Sequence, residues 1–103
     1  MKRLIDILPA IAKEIENVLF DMGEYRLARS IGELEVVDRC RCGDEACGTF
    51  YTADRQGWKN KPLKHLINDE HGHCDVGIYD GHIVCVEILD RDDVGEMLRE
   101  QLP

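Results

Sequence analysis

Residues 75–89 read DVGIYDGHIVCVEIL, and this stretch decides the fold. The dipeptide Asp80-Gly81 is typical of a two-residue hairpin turn, because both central positions of that turn need a positive φ. β-branched residues flank it on both sides, so the stretch predicts an antiparallel hairpin. The second strand is apolar on both faces, which predicts a place in the middle of a sheet. Counting outward from the turn predicts three pairs: Ile78 with Ile83, Val76 with Cys85, and Cys74 with Glu87.

An amphipathic helix is predicted near the N-terminus. Its apolar positions recur at spacings of four and three, which is the helical period. Pro9 either kinks this helix or begins it, and Gly23 is a suitable left-handed residue to end it. The stripe either packs against the protein's own sheet or forms a homodimer face. Its members are Leu4, Leu8, Ile11, Ile15, Val18 and Met22, widened by Ile5, Ala12 and Leu19.

The middle of the chain is less regular. Residues 24–31 fit either a short helix or a strand, and β structure is expected from Glu33 onward. Residues 49–52 are β-branched and aromatic, so they predict the returning strand. Residues 55–68 are interpreted as a loop, with one helical turn over residues 63–67.

A second helix is predicted at the C-terminus. Asp92 or Asp93 is placed to cap it, and Asp93 with Glu96 has the spacing of a capping box. The apolar stripe of this helix consists of Val94, Met97, Leu98 and Leu102. The pattern as a whole predicts an α+β fold, an antiparallel sheet of about four strands with an N-terminal helix and a short C-terminal helix. We predict a single domain over residues 1–103.

The charge is unevenly distributed along the chain. Residues 66–103 contain 2 basic and 10 acidic residues, which accounts for the whole net charge of -8. A surface of this sign repels phosphate backbones, which argues against nucleic acid and favours a basic protein partner. We find neither the pattern of a signal peptide nor an apolar run long enough to cross a membrane. The sequence therefore predicts a cytoplasmic protein without a membrane partner.

Three cysteines lie within eight residues, at Cys40, Cys42 and Cys47. A hairpin loop with Cys42 opposite Cys47 would place all three thiols on one face. Glycines follow Cys42 and Cys47 directly, and such positions allow a backbone N–H to turn toward a sulfur. Thiols on one face can bind zinc or simply pack on a hairpin. A redox pair, with Arg39 or Arg41 lowering a thiol pKa, is a third possibility.

A tetrahedral zinc site normally needs a fourth ligand. The dense donor cluster around His71, His73 and Cys74 is the candidate source. Either His73 or Cys74 would complete the site if that segment folds over the cysteine loop, and without it the three cysteines are one ligand short. The cofactor is therefore predicted to be zinc or none.

Two further features suggest an interaction surface. Trp58 lies among basic residues, where it either forms a contact surface or attaches a long loop to the core. Asp92, Asp93 and Glu96 are acidic residues that a basic partner could contact.

Three motifs resemble those of a protein family. They are C-x-C-G-D-x-x-C-G from Cys40, Y-D-G-H-I-V from Tyr79 and E-I-L-D from Glu87. They resemble small bacterial proteins of unknown function in which an aliphatic Asp-Gly hairpin ends in an acidic strand. The resemblance implies a similar fold and a bacterial origin.

The sequence contains no recognisable catalytic triad, phosphate loop or dinucleotide fingerprint. Together with the charge asymmetry, this favours a small non-catalytic binding or accessory protein. Such a protein would act through contact with a protein partner, as an immunity protein or antitoxin does. The alternatives are a zinc-stabilised domain with a cysteine-rich hairpin and a thiol-dependent redox protein.

Overall fold

The computed structural model describes residues 2–70 and 72–103. Helices and antiparallel strands are combined as an α+β fold, with helices at both ends of the chain, which confirms the predicted class. The elements in chain order are β1 (Lys2–Arg3), α1 (Leu4–Ile7), α2 (Pro9–Asp21), α3 (Tyr25–Ser30), a 3₁₀ turn (Ile31–Glu33), β2 (Glu35–Val36), β3 (Asp38–Arg39), β4 (Phe50–Tyr51), a second 3₁₀ turn (Arg55–Gly57), β5 (Lys64–Asn68), β6 (His73–Tyr79), β7 (His82–Leu89) and α4 (Asp92–Gln101).

The main sheet has five antiparallel strands in the order β3-β4-β7-β6-β5. The apolar strand β7 lies at its centre, as predicted, and a separate two-stranded ribbon joins β1 to β2. Asp80 and Gly81 connect β6 to β7 with φ values of 52° and 76°, the left-handed geometry that the turn requires. The hairpin prediction is therefore confirmed.

The predicted register of this hairpin is right beside the turn and wrong beyond it. Ile78 pairs with Ile83, but a bulge then places Gly77 opposite Cys85 and Val76 opposite Val86. An unbroken ladder would have put Glu87 on the core face beside Cys74. The bulge instead sends Val86 and Ile88 into the core and leaves Glu87 opposite Asp75. Burying an unpaired carboxylate is costly, which explains the irregularity.

β5 was not expected from the sequence. Residues 64–68 form an edge strand paired along its length with β6, where a loop and one helical turn were predicted. No residue of this strand is fully buried, so its sequence lacks the alternation that identifies a half-buried strand. Backbone pairing with the next strand, β6, stabilises the extended form.

The N-terminal helix is interrupted at Leu8, whose φ and ψ of -137° and 63° are not helical. Pro9 then begins α2, because proline has no N–H to donate and disfavours a helical residue before it. α2 ends in the predicted left-handed glycine, since Gly23 has a φ of 77°. The N–H of Glu24 donates to Leu19 O at 2.8 Å and that of Gly23 to Phe20 O at 3.0 Å, which is a Schellman motif.

The helices pack on one face of the sheet around a single cluster of apolar side chains. Most of the predicted stripe is buried within this core, so it packs on the protein's own sheet, whereas Ile5 and Met22 are exposed. Homodimer formation stays a prediction. The core contains Leu4, Leu8, Ile11, Ile15 and Leu19 from these helices, Phe50, Val76, Val86 and Ile88 from the sheet, and Val94 and Leu98 from α4.

α4 begins at Asp92, so its N-cap lies one residue before the nearer of the two predicted caps, Asp92 and Asp93. Arg91 occupies the N-cap position, and within the described residues it makes no side-chain capping hydrogen bond. Asp93 lies inside the first turn and binds the Arg91 guanidinium instead, at 3.0 Å. The predicted capping box with Glu96 is therefore wrong, because Asp93 already has helical geometry and a cationic partner.

Candidate metal centre

The cysteines lie in the loop that connects β3 to β4. The prediction that Cys42 and Cys47 oppose each other across a β-ladder is wrong, because β3 ends at Arg39 and β4 begins at Phe50. A backbone bond from Cys40 N to Thr49 O at 2.9 Å closes the base of the loop. A second bond, from Cys47 N to Asp44 O at 3.1 Å, turns the chain back at its tip.

This loop nevertheless brings the three thiols together. The Sγ atoms of Cys40, Cys42 and Cys47 all lie within 4.8 Å of one another. Cys42 is exposed, while Cys40 and Cys47 are half-buried. Three sulfurs at this separation form a cluster that can hold a metal ion after small side-chain rotations.

Backbone N–H groups point at two of the sulfurs. Gly43 has a φ of 83°, a conformation that glycine adopts readily, and the turn directs the N–H of Asp44 toward the Cys42 sulfur. This hydrogen bond is the main cause that lowers the pKa of Cys42, and the neighbouring thiols of Cys47 and Cys40 lower it further. The N–H of Cys42 donates in turn to the Cys40 sulfur.

The cysteine environments are unequal. Burial raises the pKa of Cys40, although the N–H of Cys42 opposes this effect. Arg39 and Arg41, which the sequence suggested could lower a thiol pKa, are not among the main causes that shift the pKa values of Cys40 and Cys42. Arg39 donates to Leu102 O and Cys40 O, while Arg41 is bound to Asp38 and Pro103 O. Both guanidinium groups therefore attach the loop to the C-terminus and to β3.

Two residues of the returning strand contact the cluster, and sequence reasoning missed both. Cys47 Sγ lies 3.5 Å from Thr49 Oγ1. Burial raises the pKa of Tyr51, and the adjacent Cys40 raises it further. Their short separation in sequence from the cysteines could have identified them, because a tight loop places residues 49 and 51 beside Cys40.

α4 forms the other wall of the site. A cleft beside the cysteines is lined by Arg39, Asp44, Glu45 and, from α4, by Gly95, Leu98 and Arg99. Gly95 lies so close to the loop that an added Cβ atom would be 2.7 Å from Glu45 O and 3.0 Å from Cys47 O. The helix therefore supports the loop through direct backbone contact.

The candidate fourth ligands lie elsewhere, on β6. His73 Nδ1 is 2.9 Å from Asp69 Oδ1, and its Nε2 is 3.7 Å from Glu87 Oε1. Cys74 lines a small cavity on the helical side with Ile15 and Val18, and burial raises its pKa to about 11. The described thiol cluster comprises Cys40, Cys42 and Cys47, and it includes neither His73 nor Cys74. His71 lies outside the described residues.

A histidine outside the predicted metal site has an acidic partner in the fold. His65 Nδ1 is 2.9 Å from Asp75 Oδ1. β5 and β6 bring these two residues together, and because β5 was not predicted, no pattern in the sequence pointed to this pair.

The predicted interaction residues have separate surroundings. Trp58 is half-buried, its Nε1 donates to Ala53 O at 3.2 Å, and its ring lies 5.9 Å from that of Tyr51. These contacts agree with the alternative that Trp58 attaches the loop to the core. Asp92, Asp93 and Glu96 are exposed on α4. The role of these four residues in binding a partner stays a prediction.

Comparisons with known proteins identify no relative: no family model matches the chain, and no curated protein or solved structure matches it significantly. Within residues 2–70 and 72–103, the helices are too short or too polar to cross a membrane. The geometry of the cysteine loop is therefore the main source of functional information.

Proposed function

We propose that this protein binds a thiophilic divalent metal ion, with zinc as the expected ion, through Cys40, Cys42 and Cys47. The observation that carries the proposal is the convergence of the three sulfurs within 4.8 Å of one another. Ordinary core packing does not require this arrangement, since one of the thiols is exposed. Thiolates are among the ligands that zinc prefers in proteins.

The hydrogen bonds around the sulfurs support the proposal. A metal binds the thiolate, so its binding must displace the thiol proton. The N–H groups of Asp44 and Cys42 are aimed at the Cys42 and Cys40 sulfurs, where they stabilise negative charge. These donors therefore reduce the free energy needed to deprotonate two of the three thiols to thiolate ligands.

The adjacent cleft contains charges of both signs. Arg39 and Arg99 line it together with Asp44 and Glu45, so these four side chains balance. Three thiolates around a divalent ion leave one excess negative charge, and the two guanidinium groups lower the electrostatic cost of holding it.

The proposed site has three protein ligands and one open position. Zinc sites of this type hold water or a further ligand in fourth place. Glu45 is exposed and lines the same cleft, whereas Asp44 accepts the N–H of Ala46 at 2.9 Å. Water or the Glu45 carboxylate is therefore the expected fourth ligand, and Glu45→Gln distinguishes the two.

The test is a metal measurement on untagged protein purified without chelators. We expect about one equivalent of zinc per chain, because sites made of thiolates bind tightly. Cobalt substitution then reports the ligands, since thiolate–cobalt bonds give charge-transfer absorption. Cys42→Ser should remove most of this absorption.

Cys85→Ser is the matched control, because Cys85 is a half-buried cysteine on β7 that pairs with Tyr51 and does not belong to the cluster of three thiols. It should bind metal as the unaltered protein does. A zinc content below about 0.2 equivalents would exclude the proposal. Equal loss of metal in Cys85→Ser and Cys42→Ser would also contradict it, because the effect would then not be specific to the cluster.

A further inference from the structure

We propose that Cys42 is a modification site at which a hydroperoxide oxidises the protein, closing a Cys42–Cys47 disulfide that expels the metal ion. This inference rests on the metal binding proposed above and adds a means of controlling it. Its geometric basis is the same cluster, in which an exposed thiol lies beside two partly buried ones.

Cys42 is the sulfur that an oxidant reaches first. It is the exposed cysteine of the five, whereas Cys40, Cys47, Cys74 and Cys85 are all partly buried. Oxidation of cysteine is selective for thiols that solvent reaches, and Cys42 meets this condition.

The first step transfers an oxygen atom. The Cys42 thiolate attacks one oxygen of the hydroperoxide, so that an S–O bond forms and the O–O bond breaks. The sulfur loses two electrons to the peroxide, and the leaving oxygen takes up a proton to become water or an alcohol. The product is a sulfenic acid on Cys42.

The second step uses a neighbouring thiol. The Cys47 thiolate attacks the Cys42 sulfur, an S–S bond forms, and the S–O bond breaks as hydroxide leaves and takes up a proton to become water. With hydrogen peroxide, the two steps convert two thiols and one peroxide into one disulfide and two molecules of water. A small dithiol reverses the change by thiol–disulfide exchange and is itself oxidised.

Cys47 is the expected partner rather than Cys40. A Cys40–Cys42 disulfide would close a small, strained ring with only Arg41 between its ends, whereas four residues separate Cys42 from Cys47. The turn closed by Cys47 N and Asp44 O brings Cys47 back toward Cys42. The disulfide then leaves Cys40 as one remaining thiolate, which is too few to hold the ion.

The experiment uses the full, untagged chain loaded with zinc and treated with hydrogen peroxide. Released zinc is followed with a colorimetric chelator, and the disulfide is located by peptide mass mapping. We expect about one equivalent of zinc released per disulfide formed, with Cys42 linked to Cys47. Cys85→Ser should behave in the same way.

A second experiment uses metal-free protein. Oxidation rates of the variants can then be compared without differences in zinc binding that follow from removing a cysteine ligand. Oxidation of the Cys47 thiol should be at least about tenfold slower in Cys42→Ser, while Cys40→Ser should stay within about twofold of the unaltered protein. A Cys40–Cys42 disulfide, or equal oxidation of Cys47 in Cys42→Ser, would overturn the assignment.

The two proposals fail in different ways. Protein that holds zinc before oxidation and keeps it after the disulfide forms contradicts the release step alone. Protein that never holds zinc contradicts the proposed function, and the release step with it.

Discussion

Gly95 in α4 lies directly against Cys47 in the cysteine loop, leaving no room for a methyl group between the helix and the Cys47 carbonyl oxygen. A Cβ atom at position 95 would be 3.0 Å from that oxygen and 2.7 Å from the carbonyl oxygen of Glu45. Both neighbours are backbone atoms of the loop that carries the thiols. The position of α4 and the geometry of the thiol cluster are therefore coupled.

Gly95→Ala should displace the cysteine loop. Alanine favours a helix interior by about 1 kcal/mol relative to glycine, but overpacking against a rigid neighbour typically costs about 1–3 kcal/mol. We expect a net loss of about 1 kcal/mol in unfolding free energy, measured by urea denaturation, and weaker zinc binding. Gly32→Ala is the control, because no described atom lies within 4 Å of its added Cβ. Unchanged zinc affinity in Gly95→Ala would show that the contact does not position the thiols.

Gly43→Ala should disturb the turn that aims the N–H of Asp44 at Cys42. Its φ of 83° costs a residue with a Cβ about 1–2 kcal/mol. Loss of the N–H donor raises the pKa of Cys42, so a smaller fraction of Cys42 is thiolate at neutral pH. Iodoacetamide labelling of metal-free protein, resolved by peptide mass mapping, should show slower reaction at Cys42 at neutral pH. Gly57→Ala, which has open space around it, should keep the original labelling profile.

Zinc should stabilise the folded protein. A ligand that binds the folded state at 100 times its Kd adds about 2.7 kcal/mol to the unfolding free energy. Chemical denaturation with and without excess chelator measures this difference. The zinc-dependent increment should largely disappear in Cys42→Ser and persist in Cys85→Ser. An increment that survives in Cys42→Ser would place the bound ion elsewhere.

Cys74 should make stability decrease at alkaline pH. Burial raises its pKa from a usual 9.0 to about 11, so between these values the folded thiol keeps a proton that the unfolded thiol has lost. The folded state then binds more protons, and stability falls as pH rises through this window. At pH 10 the loss is about 1 kcal/mol.

Cys74→Ala removes this titration and tests the prediction. Its unfolding free energy is lower at every pH because a partly buried side chain is truncated. The difference from the unaltered protein should nevertheless shrink between pH 8.5 and pH 10, when both are measured in chelator at constant ionic strength. A constant difference over that window would mean that Cys74 is not protected from ionisation.

The sequence was most informative where short-range signals act. The Asp80-Gly81 turn, the start of α2 at Pro9 and its end at Gly23 all depend on the conformational limits of single residues, and all three are observed. The α+β class follows because the apolar residues of each segment repeat with the period of a helix or a strand. The apolar stripe and acidic first turn of α4 were likewise visible, although its start was misplaced by the competing bond between Asp93 and Arg91.

The errors arose where strand pairing and packing, rather than the local sequence pattern, decide the outcome. Local counting extended the β6–β7 ladder without a break, but the cost of burying Glu87 introduces a bulge that exchanges the two faces of β7. β5 lacks a clear local pattern and is a strand because its backbone pairs with the edge of β6. The predicted fourth metal ligands were misplaced for the same reason. His73 and Cys74 lie on β6, where His73 contacts Asp69 and Cys74 lines a small cavity.

The sequence by itself determined that three thiols lie in one short segment, which in extended form could still separate Cys40 from Cys47 by about 23 Å. It also determined the class of fold around them, through periodicity and turn chemistry. The turn from Cys47 N to Asp44 O is what brings the sulfurs together. Only the tertiary structure decided which groups surround the cluster. The three cysteines contact Tyr51, backbone N–H groups and α4, and these contacts depend on how the loop packs. The packing of the loop is set by the whole core rather than by any local motif.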